Sequence, residues 1–160
     1  MPRKGYLSGG YRYNYKEHTP QKRSGLEDRI AAQIKRAKIN VVYEAYELHY
    51  EIPASTHTYT PDFILPNNIV VEAKGIFDVE DRKKHLLIRE QFPALDIRFV
   101  FSNPNHKLYK GAKTTYADWC DKHHFKYAKA LIPSAWFDEA FRPTQGLLPK
   151  KQKTTKKKGQ

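Results

Sequence analysis

Asp62, Glu72 and Lys74 are the residues whose types and spacing point most directly to chemistry. Pro66-Asn67-Asn68 has the composition of a tight reversal, and it separates two short apolar runs, Phe63-Ile64-Leu65 and Ile69-Val70-Val71. A reversal centred near Asn67 sets Asp62 opposite Glu72 on neighbouring strands. Directly opposed residues hold their Cβ atoms roughly 4.5–5.5 Å apart, where like charges repel. Lys74, two residues beyond Glu72, shares its face. Two carboxylates forced together on a half-buried sheet call for a cation. Mg²⁺ fits, because it takes oxygen ligands from one or two carboxylates together with substrate phosphate. An ammonium beside such a metal can orient a water or offset charge on a phosphate under attack.

The elements that must position these groups follow from the pattern on either side. Leu26, Ile30, Ile34 and Ala37 recur at helical spacing, so a helix opens near Ser24. Ser24 and Glu27 fit a capping box, in which Glu27 returns to the cap amide; the functional alternative makes Glu27 a further metal ligand. Val41 to Tyr50 reads as a strand. In Glu51 to His57, Pro53 cannot donate to a central ladder, so that piece is an edge, a linker or a crossing segment. The hairpin with Asp62 and Glu72 comes next. Asp81 to Phe92 reads as a helix stopped by Pro93, with Leu86, Leu87 and Ile88 as its apolar centre. Ile97 to Phe101 is a strand, Thr115 to His123 a third helix, and Leu131-Ile132-Pro133 a short extended piece.

Charge points to a polyanion. The chain has 160 residues, room for one modest core, with 29 Lys and Arg against 17 Asp and Glu and a formal net charge of +12. Six lysines crowd the end: Lys150, Lys151, Lys153, Lys156, Lys157 and Lys158. Three regions result: an arm (1–23), a core (24–142) and a lysine-rich flexible tail (143–160). The arm mixes Tyr6, Tyr11, Tyr13 and Tyr15 with basic residues that include Arg23. Either its charge tracks phosphates while tyrosines stack on bases, or it is a solvated terminus. Arg82-Lys83-Lys84 and Arg89 form either a phosphate-contacting face or an ordinary solvated one.

The single cysteine, Cys120, excludes an intramolecular disulfide. There is no apolar run of membrane-spanning length, no secretory signal, no nucleotide-binding loop and no Ser-His-Asp signal. His57 could face the site from its loop. His123-His124 points apart on a helix without a cysteine or carboxylate cluster, so a surface or helix-end role suits it better than a metal.

Proline, aspartate, a spacer and then acid-x-lysine resembles the motif of restriction-endonuclease-like nucleases. Longer blocks resemble the phage endonuclease I family more specifically. They are Arg23 to Asp28, Ile52 to Ser55, His57 to Phe63, Asp81 to Gln91, and Lys107-Leu108-Tyr109-Lys110-Gly111. This resemblance implies an α/β fold, a mixed β-sheet flanked by helices, in a homodimer that exchanges a strand through a bridge at about 51–60. It implies a composite site, with Glu27 from one subunit and Asp62, Glu72 and Lys74 from the other, and the Ala73 carbonyl as a further metal ligand. It also implies two Mg²⁺ per site, with Mn²⁺ able to substitute, and cleavage of four-way and other branched DNA in the cytoplasm of an infected bacterium. Lys107 and Lys110 join the expected DNA contacts. A less selective duplex nuclease and a non-catalytic basic DNA-binding protein are the alternatives.

Overall fold

The computed structural model describes residues 25–52 and 54–150. The arm with Arg23, the Ser24 half of the capping box, Pro53 of the bridge and the tail from 151 onward lie outside the described residues.

Leu26 and Ile30 give the first helix, α1 (Gly25–Ala37), its buried stripe. Then come β1 (Val42–Tyr43), β2 (Tyr46–Ile52), β3 (Ser55–Tyr59), β4 (Phe63–Ile64) and β5 (Val70–Lys74). After them follow α2 (Val79–Gln91), β6 (Ile97–Phe101), α3 (Tyr116–Lys122), β7 (Tyr127–Lys129), α4 (Ser134–Phe137) and β8 (Leu148–Pro149). A five-stranded sheet runs β1-β4-β5-β6-β7, and a three-stranded one runs β3-β2-β8. In the larger sheet β1, β4 and β5 are antiparallel neighbours, while β5, β6 and β7 run parallel through the connections carrying α2 and α3. This is the expected mixed α/β sheet with helices against it.

Side chains alternate between the two faces of the sheet. Val70, Ile97, Phe99 and Phe101 pack with Tyr59, Phe77, Ile88, Tyr116 and Trp119 in one core cluster. Val71, Ala73 and Val100 pack with Leu26, Ile30, Ile132 and Trp136 in another. The α2 and α3 helices therefore cover one face, and α1 and α4 the other. Phe77 and Phe99, with ring centroids 4.9 Å apart, sit at the centre of the first cluster.

Four expectations need correction. The stretch from Val41 to Tyr50 is two strands, because Glu44 adopts φ 44 and turns the chain so that β1 and β2 join different sheets. Apolar periodicity cannot register such a kink. The extended segment near Leu131 lies earlier, at β7, and ends where Ala130 reaches φ 63. The second helix starts two residues before Asp81, because Asp78 caps it by accepting from the Asp81 amide at 2.8 Å. Residues 144–150 are ordered rather than part of a flexible tail: Leu147 is buried, β8 pairs with β2, and the Lys150 amide donates to the Ala45 carbonyl at 2.8 Å.

The hairpin that carries the candidate site is clamped at its turn. The Asn67 amide nitrogen donates to the Trp136 and Glu139 carbonyls at 2.7 and 3.0 Å, and Asn68 donates to the Arg142 carbonyl at 2.9 Å. Arg98, fully buried on β6, pins the same segment. Its guanidinium reaches Asp96 at 2.7 and 2.9 Å and Glu139 at 2.7 and 2.8 Å, and Arg142 joins the same two carboxylates. A buried arginine survives only when its donors are satisfied in this way.

Candidate metal-dependent active site

The hairpin register is Phe63↔Val71 and Ile64↔Val70, which extends to Asp62 opposite Glu72 as the sequence predicts. β5 is central and buried, so Glu72 is only 3% exposed. Asp62 lies immediately before β4, and its Oδ2 accepts from the Ala73 amide at 2.9 Å. The two carboxyl groups share a hydrogen bond.

Electrostatics record the crowding. Burial pushes the Asp62 carboxyl up to about 6, and the Glu27 charge adds to that; the Ala73 amide, the hydrogen bond from Glu72 and the Lys74 ammonium oppose it. Burial first, and then the Asp62 charge, hold Glu72 well above the usual carboxylate range. Burial alone would lower Lys74, but Glu72, Asp81 and Asp62 around it raise it instead, so its ammonium stays charged at neutral pH. Lys74 Nζ lies 3.0 Å from Asp81 Oδ1, an oxygen that also takes Lys84 at 3.1 Å.

Glu27 arrives from α1. Carboxylate oxygens of Glu27, Glu44 and Asp62 all lie within 4.8 Å of one another. Thus α1, the kink between β1 and β2, and the start of β4 bring three acids together beside Glu72. Among the described residues this is the one group of acidic, His or Cys side chains arranged to hold a metal ion. An all-carboxylate set gathered around Asp62, whose charged form burial disfavours, suits a hard divalent cation with oxygen preference. These residues fit such an ion. Glu27 also accepts from the Tyr43 hydroxyl at 2.8 Å, and burial, with Glu27 as the next cause, raises Tyr43 above the usual tyrosine range.

The single chain brings Glu27 next to its own Asp62. The segment expected as a bridge folds back within the chain: β2 and β3 pair from Leu48↔Tyr59 to Ile52↔Ser55. Tyr59, at the end of that segment, donates its hydroxyl to Glu72 Oε1. It packs edge-on against His85, whose ring is buried and whose Nδ1 lies 2.8 Å from the Asp81 carbonyl. Glu44, Tyr43, Tyr59 and Asp81 are site neighbours that sequence reasoning missed. Only Asp81 left a signal, one turn along α2 from Asp78.

The basic candidates divide. Arg89 is committed to the end of α3, donating to the His123 carbonyl and, at 3.0 Å, to that of His124, with its guanidinium 3.4 Å from the centre of the Phe125 ring. It serves the fold. Arg82 donates to the Phe77 carbonyl at 2.6 Å. Lys83 is exposed, Lys84 lies beside Lys74 on Asp81, and Lys107 and Lys110 are exposed in the loop after β6. His57 bonds Ser55 at 2.8 Å and its ring lies tilted against Tyr50, with no site carboxylate among its contacts. His123 caps α3 and lies against Trp119.

Comparison with known proteins gives the family. A family model described as phage endonuclease I matches residues 9–158. Endonuclease I of Escherichia phage T7 is 56% identical over 117 residues, covering 73% of this chain and 78% of that protein. Endodeoxyribonuclease 1 of Enterobacteria phage T3 is 50% identical over 137 residues, covering 86% and 90%. No helix among the described residues is long and apolar enough to cross a membrane.

Proposed function

The chain belongs to the phage endonuclease I family, and from that premise we propose that it is a Mg²⁺-dependent DNA endonuclease that cuts four-way and other branched junctions as a homodimer. The observation that carries the reading is the acidic cluster itself: half-buried Asp62 and buried Glu72 with raised pKa values, Glu27 and Glu44 alongside, and a charged Lys74 at the rim.

In this reading Asp62, Glu72, the Ala73 carbonyl and Glu27 hold two Mg²⁺ ions, or Mn²⁺ in their place. Bound there, the metal supplies positive charge against the phosphate and lowers the pKa of a water. The chain's own residues do the rest. The Ala73 amide fixes one Asp62 oxygen, and the Tyr59 hydroxyl fixes one Glu72 oxygen, so each carboxylate presents its other oxygen in a set direction. Lys74 holds its ammonium toward the acids and offsets the charge that grows on the phosphate in the transition state. Asp81 keeps Lys74 in place when DNA is absent.

The restriction-endonuclease-like frame and the exchanged bridge belong to the same proposal. A two-residue hairpin loop joins Ile52 to Ser55. Such loops favour turns with positive φ at the first position, which proline's fixed φ forbids. Ala54, the second loop residue, sits at φ 87, where glycine is at home and alanine is strained. Straightening this loop would relieve that strain and carry β3 and the hairpin after it onto a second subunit. The Glu27–Asp62 neighbourhood would be rebuilt there, Glu27 now serving the partner's acids, while the Tyr59–Glu72 bond, with both ends after the loop, would travel intact. Exchange of identical elements is a low-cost route to dimers. Two sites held at a fixed angle then suit a bent junction better than a straight duplex.

The test is cleavage of a labelled four-way junction and of a linear duplex with Mg²⁺. The proposal expects the junction to be cut much faster. Equal rates would make the protein a less selective nuclease, and failure to cut either would leave a non-catalytic DNA-binding protein.

A further inference from the structure

Ile76 and Tyr109 are 77% and 67% exposed, the two most exposed large apolar side chains among the described residues. Scattered exposed apolar residues are ordinary on a protein surface. These two line one groove of about 700 Å³, together with Asp78, Lys107, Lys110 and Tyr116. One wall follows β5 and the other follows β6. Lys74 pairs with Phe101 in register, and the Ser102 amide donates to the Lys74 carbonyl at 3.2 Å, so both strands end side by side. The groove thus lies beyond the carboxyl ends of adjacent parallel strands, where open α/β sheets bind ligands. Ile76 is two residues past Lys74 in the sequence.

The Tyr109 wall is built rather than loose. The Leu108 amide donates to the Thr114 carbonyl and the Ala112 amide to that of Tyr109, both at 3.0 Å. The Lys107 ammonium reaches the Lys113 carbonyl at 2.8 Å, and Gly111 at φ 86 makes the tip. The one acid in the lining, Asp78, is already committed as the cap of α2. Exposed Lys107 and Lys110 leave the rim complementary to a polyanion, while the apolar side chains and the Tyr109 ring complement a base.

We propose that this groove takes an unstacked nucleotide of the DNA strand next to the scissile phosphate, with its base on Tyr109 and Ile76 and its phosphates toward Lys107 and Lys110. The inference rests on the nuclease reading and deepens it. In a continuous duplex the base faces are hidden in the stack, whereas a branch point offers unpaired or loosely stacked bases. An aromatic platform recognises any base by its face. An aliphatic side chain at the mouth can wedge between bases. The groove therefore adds a contact that branched DNA can make and straight duplex cannot, with no base sequence being read.

The test measures binding of the full chain, in EDTA, to a fluorescent four-way junction and to a linear duplex of the same length. Tyr109→Ala is expected to weaken junction binding about tenfold, the scale of losing one base–aromatic stack. Tyr109→Phe keeps the ring and is expected to bind as wild type, Ile76→Ser to lose part of the junction affinity, and all four proteins to bind duplex alike. Both residues are exposed, so these variants retain the core. Unchanged junction binding by Tyr109→Ala would overturn the proposal. An equal loss on duplex would do so too, since it would mark an ordinary surface contact. Wild-type cleavage in Mg²⁺, run in parallel, separates the two levels. A wild type that cuts junctions beside an unaffected Tyr109→Ala overturns the groove alone; a wild type that cuts neither DNA overturns the nuclease reading, and the groove's occupant with it.

Discussion

Asp62→Asn should stabilise the metal-free protein at neutral pH while removing a proposed metal ligand. Folding moves the Asp62 carboxyl from the ordinary 3.8 to about 6, through burial first and the Glu27 charge second. A raised acid pKa means that the folded state holds its proton more tightly, so stability falls as pH rises between those values. At roughly 1.4 kcal/mol per pH unit, the charged form costs about 3 kcal/mol above pH 6 and almost nothing below pH 4. His85 works in the opposite sense. Burial lowers it to about 3, so the folded state loses stability as pH falls through the ordinary histidine range. The wild-type profile therefore mixes two slopes, and the comparison must be made at matched pH. Asparagine keeps an oxygen for the Ala73 amide, which limits the structural loss. In EDTA at about pH 7.5 the variant should be more stable by roughly 2–3 kcal/mol, a gain of roughly 5–10 °C in Tm. The gain should shrink toward zero near pH 4, and added Mg²⁺ should raise the wild type more than the variant. Urea and thermal unfolding of both proteins measure this directly. An Asp62→Asn protein as stable as the wild type, or less so, at neutral pH in EDTA would refute the reasoning that these acids are held together at a cost.

Three further outcomes follow from the geometry. Tyr59→Phe removes the hydroxyl that orients Glu72, so the Mg²⁺ concentration for half-maximal cleavage should rise about tenfold or more while DNA binding stays unchanged; an unaltered metal titration would contradict that role. Arg98→Met leaves Asp96 and Glu139 with only Arg142 as a close arginine partner, and urea unfolding should show a loss of about 3–5 kcal/mol; a loss below about 1 kcal/mol would show that the network holds little. Co-expressed Glu27→Ala and Asp62→Ala chains should form a heterodimer with one intact site that nicks a junction but resolves it poorly, whereas a verified heterodimer without activity would place each site within a single chain.

The parts of the site legible in the sequence are those set by local chemistry. The turn residues Pro66, Asn67 and Asn68 between two apolar runs determined the register that opposes Asp62 to Glu72. The third helix, read from Thr115 to His123, matches α3 with its caps at those two residues. What stayed hidden depends on distant packing. Glu27 looks like a cap residue until α1 is laid against β5. Glu44 looks like a strand residue until φ 44 turns the chain, and Tyr59 finds Glu72 only through the hairpin of β2 and β3. Arg98 sits in an otherwise apolar strand, and nothing nearby announces that Glu139 and Arg142 will enclose it. Arg89 shows the converse: a basic helix face reads alike whether it meets phosphate or, as here, the carbonyls ending α3.

We propose that the acids on this hairpin form a metal-dependent site for cutting branched DNA. The most direct measurement is a time course on a labelled four-way junction for the wild type and Glu72→Gln, each with Mg²⁺ and with EDTA, alongside junction binding by both proteins. Cleavage is expected only from the wild type and only with Mg²⁺, with junction binding largely preserved in the variant. Cleavage by Glu72→Gln near the wild-type rate, or wild-type cleavage that persists in EDTA, would contradict it.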